Sequence, residues 1–416
     1  MKIAIVTYSL NVGGIETFIQ LLYDYCKEEG HEVSIYETIT SGLWSPLFRS
    51  VGYDVKQILP SFYKSKIHHA KIIAKALSEH ELIILNDVAF AQAMLGLMPK
   101  TTVVIPVLHS NVTSMIRNAT SNLTNVDMIS AVSPAMQRYA IMFGAPKEKV
   151  ACIPNGITVP DTWPKADSTF PTDKPFRLAY IGAINHTQKG VLHLPTIFSD
   201  VVKEYPAVNF DIIGDGPDLP LLREKFSQRE KIKPIFHGAI SNKDAMSILA
   251  QADAMIMPSH FEGLGIVILE AMARGVVPIV SFLDGITNFL ITDGGDGKLV
   301  NVGDEKGFAD AIIALASDRV KMREMSFAAW KTAVSRFSYK AMGAAYLSLA
   351  EELRNKRIEQ NLQRSGRLVI SLLGDFPYLP VLLVRPVRKI FRMLGFYKDS
   401  LPEPFLYNPP SIKQDI

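Results

Sequence analysis

His260-Phe261-Glu262-Gly263-Leu264-Gly265-Ile266-Val267-Ile268-Leu269-Glu270-Ala271-Met272-Ala273 passes from a Gly-x-Gly turn into an apolar helix. Short apolar runs flank it, Ala254 to Met257 before and Val277 to Val280 after. The whole reads as strand, turn, helix, strand, the repeating unit of a parallel sheet covered by helices. Glycines let a ligand approach the backbone, and the free N–H groups at a helix start attract an anion such as a diphosphate. Glu262 would then face whatever is bonded to that phosphate, with Glu270 two turns into the helix. Carboxylates accept hydrogen bonds from sugar or ribose hydroxyls, which gives acids at both places a use. Taken alone, two glutamates at this spacing equally suit an ordinary helix start with surface acids.

The same alternation extends in both directions. Ile3 to Tyr8, Glu32 to Tyr36, Leu82 to Leu85, Thr102 to Leu108 and Met128 to Val132 read as strands, with a helix over Glu16 to Glu29. Between Thr158 and Pro175 the rhythm stops in a stretch rich in Pro, Asp, Ser and Thr, which reads as a linker. It restarts with Arg177 to Ile181, Phe210 to Ile213 and Ile235 to His237. A chain of 416 residues suits two domains of about 150 to 200 residues each. The expected organisation is α/β: a first doubly wound domain over 1–165, a second over 173–337, a closing helix over 338–357 and an extension over 360–416.

Composition narrows the function. A formal net charge of +3 gives no global basic field, which argues against nucleic acid as a partner. The two cysteines, Cys26 and Cys152, make neither a disulfide framework nor a metal-ligand spacing and suit a reducing cytosol. The opening Lys2-Ile3-Ala4-Ile5-Val6 reads at once as a strand, leaving no room for a secretion signal, so the expected location is cytoplasmic. No Asp-x-Asp occurs, so the carboxylate pair with which many sugar transferases hold a divalent ion is missing, and no metal site is expected. Gly214-Asp215-Gly216 is followed by Leu219 where a dinucleotide fingerprint needs a third glycine, which weakens an oxidoreductase reading.

With Arg274-Gly275-Val276-Val277-Pro278 added, the opening stretch resembles the signature of the retaining family-4 glycosyltransferases of the GT-B fold. Further matches fall in the family's order: Gly13-Gly14-Ile15-Glu16, Ser130-Ala131-Val132-Ser133, Ile153-Pro154-Asn155-Gly156, Gly214-Asp215-Gly216-Pro217, His237-Gly238-Ala239-Ile240-Ser241 and Ala252-Asp253-Ala254. The resemblance covers roughly residues 1 to 355. It implies two Rossmann-like domains facing across a cleft, and transfer of a hexose-type sugar from a nucleotide diphosphate sugar, UDP- or GDP-linked, to a hydroxyl acceptor with retention of configuration and without a metal cofactor. Glu270 would hold the donor ribose and Glu262 the transferred sugar, while Gly263, Leu264 and Gly265 line the diphosphate. Gly14 would bring the first-domain loop to the diphosphate or acceptor, and Ile240 would lie against the base, unless it is simple buried core.

The family pattern also pairs an arginine after the first glycine of the second domain with a later Lys-Gly, both gripping the leaving diphosphate. Lys189-Gly190 supplies the second, but Ala183 stands where the arginine is expected. Stabilising developing charge is often the largest catalytic contribution, so something must replace that arginine, with Asn185, His186 or a distant arginine as candidates. His109 closes the run Val103 to Leu108 and so falls at the carboxyl edge of a strand, where ligands of open α/β sheets bind. The family often has a histidine there, able to donate a hydrogen bond to a sugar hydroxyl. Glu262, Lys189 and His109 are thus the expected catalytic set.

Residues 361–398 depart from the family. Arg364, Arg367, Arg385, Arg388, Lys389, Arg392 and Lys398 face a single acid, Asp375, and flank Leu368 to Leu373 and Leu379 to Val384. A mean hydropathy of +0.15 is slightly apolar for a protein of this kind. Basic and apolar residues together suit an anionic membrane surface, whereas Asp375, Pro377 and Pro380 argue against a spanning helix. A peripheral extension packed on the first domain is the competing expectation. Contact with a membrane would suit a lipid-linked or polysaccharide acceptor. Two other functions remain open, a nucleotide-sugar epimerase of similar build and a non-catalytic nucleotide-sugar binding subunit.

Overall fold

The computed structural model describes residues 1–11, 13–168, 170, 174–373 and 376–393. The chain divides into two units, Met1–Pro154 with Met342 onward, and Asn155–Ala341. Each is built on one parallel sheet.

In the first unit the strands are β1 (Lys2–Thr7), β2 (Glu32–Glu37), β3 (Val55–Gln57), β4 (Leu82–Asn86), β5 (Val103–Leu108), β6 (Ile129–Ala131) and β7 (Val150–Cys152). They lie in the order β3-β2-β1-β4-β5-β6-β7. Ile3 pairs in parallel register with Val33 on one side and Leu82 on the other. The central strands are fully buried, Ile5, Ile84 and Ile105 among them. This is why their sequence is a continuous apolar run rather than an alternating one: helices cover both faces of such a sheet.

The second unit repeats the plan with β8 (Phe176–Ile181), β9 (Val208–Ile213), β10 (Ile235–Gly238), β11 (Ala254–Met257), β12 (Val277–Ser281) and β13 (Lys298–Val300), ordered β10-β9-β8-β11-β12-β13. Its core joins Phe176, Tyr180, Phe198, Phe210, Ile256 and Phe308, with Phe198 and Phe210 stacked at 3.8 Å. In both sheets the first strand sits beside two others, and the order reverses between it and the fourth. Ligands of doubly wound sheets bind beyond the carboxyl ends of the strands at such a reversal.

One expectation needs correction. The stretch expected to be a linker packs, where described, on the second unit: Trp163 lies against Phe170 and Phe327, Phe170 is buried, and Lys165 donates to the Ala252 carbonyl. The burial of two aromatic rings outweighed a proline-rich composition. For the extension, the competing expectation of packing on the first unit describes its beginning. The helix Tyr339–Glu359 buries Tyr346, whose hydroxyl bonds Ser130 Oγ at 2.7 Å. Beyond it Arg364, its side chain 3% exposed, pairs with Asp127 at 2.9 Å beside Arg357, which binds the same carboxylate. Arg364 is therefore unavailable to a lipid surface. Asp375, Leu394, Phe396 and Lys398, and the side chains of Arg385 and Arg392, lie outside the described residues. No helix among the described residues is long and apolar enough to cross a membrane.

Candidate active site

In the second unit the helix Ile266–Ala273 begins after Gly265, whose backbone is left-handed (φ 87°) and whose position carries no capping side chain. The first N–H groups of a helix have no partner within it, so this end presents donors and a partial positive charge. Only glycine takes that conformation without strain, which explains the second glycine of the Gly-x-Gly turn.

Just before it, Glu262 is buried, and its Oε1 accepts from Lys189 Nζ at 2.6 Å and from Ser259 Oγ at 2.8 Å. The pairing depends on close docking of two loops. Asn185 caps the short helix His186–Lys189, which ends at Gly190 in a left-handed conformation (φ 62°). A Cβ on Gly190 would stand 2.0 Å from the Pro258 carbonyl oxygen, so only glycine lets the loop settle there. The His260 backbone N–H then donates to the Gln188 carbonyl at 2.8 Å, locking the Lys189 loop to the Ser259–Glu262 segment. Lys189 and Glu262, assigned separate ligands from sequence, thus bond each other.

Glu270 sits further along the helix. Burial pushes its carboxyl up to about 7, against the pull of Arg274. No donor among the described residues reaches that carboxylate, whereas the Arg274 guanidinium bonds the Glu270 main-chain carbonyl. Leu264 is buried and Gly263 half-buried. Ile240 follows Gly238 (φ 69°) and is 37% exposed, so the core alternative for it falls. Neither local candidate supplies the positive charge of the missing arginine. Asn185 spends its oxygen on the Gln188 N–H, and burial followed by repulsion from His193 and His260 lowers the His186 pKa, disfavouring its cation. Tyr180 donates to the Ala183 carbonyl at 2.8 Å, and its phenol is pushed well up by burial and by Glu262.

In the first unit Gly14 opens the helix Gly14–Glu28 at the carboxyl end of β1 and is exposed. Glu16, in the first turn, accepts from the Asn11 N–H at 2.8 Å. Glu37, fully buried, gathers the Leu10 and Gly42 N–H groups and the Ser45 hydroxyl and so shapes the same loop. Its sequence context, the last residue of a strand, gave no sign of this.

His109 lies directly after β5. Asn86 donates its amide N–H to the Val6 carbonyl, which turns Asn86 Oδ1 towards His109 Nε2 at 2.9 Å. The imidazole proton is therefore on Nε2, and Nδ1 is a buried lone pair with no partner among the described residues. Burial lowers the His109 pKa to about 3, so the ring is neutral. The expected donor is thus an acceptor: the nitrogen left for a ligand can only receive a hydroxyl proton.

One grouping escaped the sequence reading. His186, His193 and His260 come together with ligand nitrogens within 4.8 Å of one another. His186 and His193 bracket Lys189, but the spacing belongs to no recognised ligand motif.

Residues 175–318 match the family described as Glycosyl transferases group 1, and residues 12–159 match Glycosyltransferase Family 4. A phosphatidyl-myo-inositol mannosyltransferase of Mycolicibacterium smegmatis is 24% identical over 88% of this chain and 97% of its own. A glycogen synthase of Mycobacterium tuberculosis is 26% identical over 56% of this chain, and the match spans only 55% of that relative's length. Among solved structures, Anabaena HepE, in complex with UDP and glucose, superposes with a TM-score of 0.69 at 17% identity, covering 85% of this chain and 100% of that one. The fold of both units is that of these GT-B proteins.

Proposed function

This chain belongs to the family-4, group 1 glycosyltransferases, and on that premise we propose that it transfers a hexose-type sugar from a nucleotide diphosphate sugar to a hydroxyl acceptor with retention of configuration. The observation that carries the reading is the Lys189–Glu262 pair beside an uncapped helix start, with the unbonded Glu270 carboxylate on the same helix. A diphosphate at that helix end competes for Lys189 and releases Glu262, which then accepts from a hydroxyl of the sugar. Glu270 accepts from the ribose hydroxyls, and a donor there favours its charged form. The family resemblance gives His109 a sugar hydroxyl as well, and its Nδ1 is the nitrogen able to accept one. The acceptor oxygen attacks the anomeric carbon on the face the nucleotide leaves, as the bond to the phosphate oxygen breaks through an oxocarbenium-like state. The acceptor proton passes to the departing phosphate, whose charge Lys189 and the helix N–H groups stabilise. These groups do the work without a metal on the phosphates.

UDP is the first donor nucleotide to test, because the structurally similar HepE is bound to UDP and glucose. A lipid-linked acceptor at the inner face of the membrane fits the relative that acts on phosphatidyl-myo-inositol and an apolar surface in the first unit. There the helix Val381–Met393 exposes Leu382, Leu383, Ile390, Phe391 and Met393, and its start is bonded to the loop bearing exposed Phe62 and Tyr63. Phe62→Asp with Leu383→Asp should abolish sedimentation with anionic vesicles; unchanged sedimentation removes the membrane role. For the reaction itself, a thermal-shift screen of UDP, GDP and ADP sugars selects the donor, and NMR of the product with an added acceptor reads the anomeric configuration. Release of free or epimerised sugar in place of a glycoside would support an epimerase, and binding without turnover a non-catalytic subunit.

A further inference from the structure

The three histidines beside the Lys189 loop have their outer nitrogens already engaged in a way that aims two others at one point. His193 Nδ1 faces Glu305 Oε1 at 2.7 Å, and since a carboxylate oxygen only accepts, the ring proton is on Nδ1. His260 Nδ1 faces the Thr187 carbonyl at 3.1 Å, which fixes its proton in the same way. With Nδ1 carrying the proton in each ring, Nε2 is the nitrogen left to act as a lone pair, and these two nitrogens stand 3.1 Å apart. Two lone pairs at that separation repel unless an electrophile lies between them. His186 completes the group, its ring edge-on to His193 at 5.2 Å and to His260 at 5.1 Å.

We propose that His193 Nε2 and His260 Nε2, with His186 as third ligand, form a binding site for a divalent transition-metal ion of the zinc class. Imidazole nitrogen suits zinc, copper and nickel rather than magnesium or calcium. At zinc–nitrogen bonds of about 2.0–2.1 Å, nitrogens 3.1 Å apart subtend roughly 100°, near the tetrahedral angle. Glu305 is the outer carboxylate that metal-bound histidines commonly carry, holding the tautomer and raising ligand basicity. His186 Nδ1 accepts the Leu192 N–H at 3.2 Å, so its proton is on Nε2. It joins only by giving up that long hydrogen bond, which makes it the weakest of the three ligands.

The ion would cross-link the segment 186–193 to the segment that ends in Glu262. The site is separate from the proposed sugar transfer: no step of that reaction runs through it, and binding is measured without any donor.

The test uses the full chain without a histidine tag. Zinc is titrated against a chromogenic chelator, with stoichiometry checked by elemental analysis after dialysis, and cobalt is substituted to read its visible absorption. One tightly held ion per chain, an intense cobalt spectrum and a raised melting temperature are expected. His193→Gln and His260→Gln should each lower affinity at least a hundredfold, His186→Gln about tenfold, and Glu305→Gln between ten- and a hundredfold, the range for outer-shell partners. Glu305→Gln leaves all three rings in place and so remains informative if a histidine variant folds poorly. Absence of saturable binding, or binding equal in wild type and in both His193→Gln and His260→Gln, overturns the proposal and leaves a shared proton between the two rings.

Discussion

Replacing Lys189 by alanine probes the site at its tightest point. The Lys189 and Glu262 side chains are 16% and 5% exposed and 2.6 Å apart. Removing one partner of a buried pair strands the other charge and typically costs about 3–5 kcal/mol. Ser259 still donates to Glu262 in the variant, which puts the loss near the lower end, about 3 kcal/mol. For a unit of this size each kcal/mol moves the melting temperature by about 2–4 °C, so a fall of about 6–12 °C is expected. A double-mutant cycle with Glu262→Ala, followed by chemical denaturation without donor, should show coupling of about 2 kcal/mol, because the double variant leaves no unpaired charge. With donor, loss of one group that stabilises the leaving diphosphate should lower kcat by about 10²–10³, measured as nucleoside diphosphate release in the presence of acceptor. Additive single effects would refute the pairing as an energetic unit, and a kcat near that of wild type would refute the role of Lys189 on the phosphate.

Glu270 has its pKa raised from 4.5 to about 7, so the folded state holds a proton between those values that the unfolded chain releases. Its contribution is present below about pH 4.5 and lost as pH rises through about 7; Glu270→Gln should therefore gain up to about 3 kcal/mol over wild type at pH 8 and nothing at pH 4, read by denaturation at both. His109 is shifted the other way, to about 3: stability is intact above about 6.5 and falls with acidification below it, a slope that His109→Gln should remove. An NMR titration placing the His109 pKa near 6.5 would contradict its burial. Arg364→Ala should destabilise the first unit by about 3 kcal/mol in urea melts, and a chain ending near Arg357 should be weakened in the same way, so vesicle binding is better tested with the surface substitutions.

Sequence made the two sheets legible because parallel strands buried on both faces are apolar without interruption, as in Val103 to Leu108 and Ala254 to Met257. The strands that escaped, β3, β7 and β13, have three residues each and lie at sheet edges, too short to show a period. The proline-rich stretch around Trp163 deceived for the opposite reason, since composition reports chain stiffness and polarity but not which two aromatic rings find a surface.

By itself the amino-acid order determined the repeating strand–helix plan, the family, and the residues placed at strand ends, because each of these is encoded within a few neighbouring positions. Tertiary structure alone decided what those residues do to one another. Lys189 meets Glu262 across 73 intervening steps of chain, Asn86 chooses which nitrogen of His109 is free, and three histidines scattered along the second unit converge. Charge pairing, tautomer choice and ligand convergence act over a few ångströms in space, and distance along the chain carries no record of them.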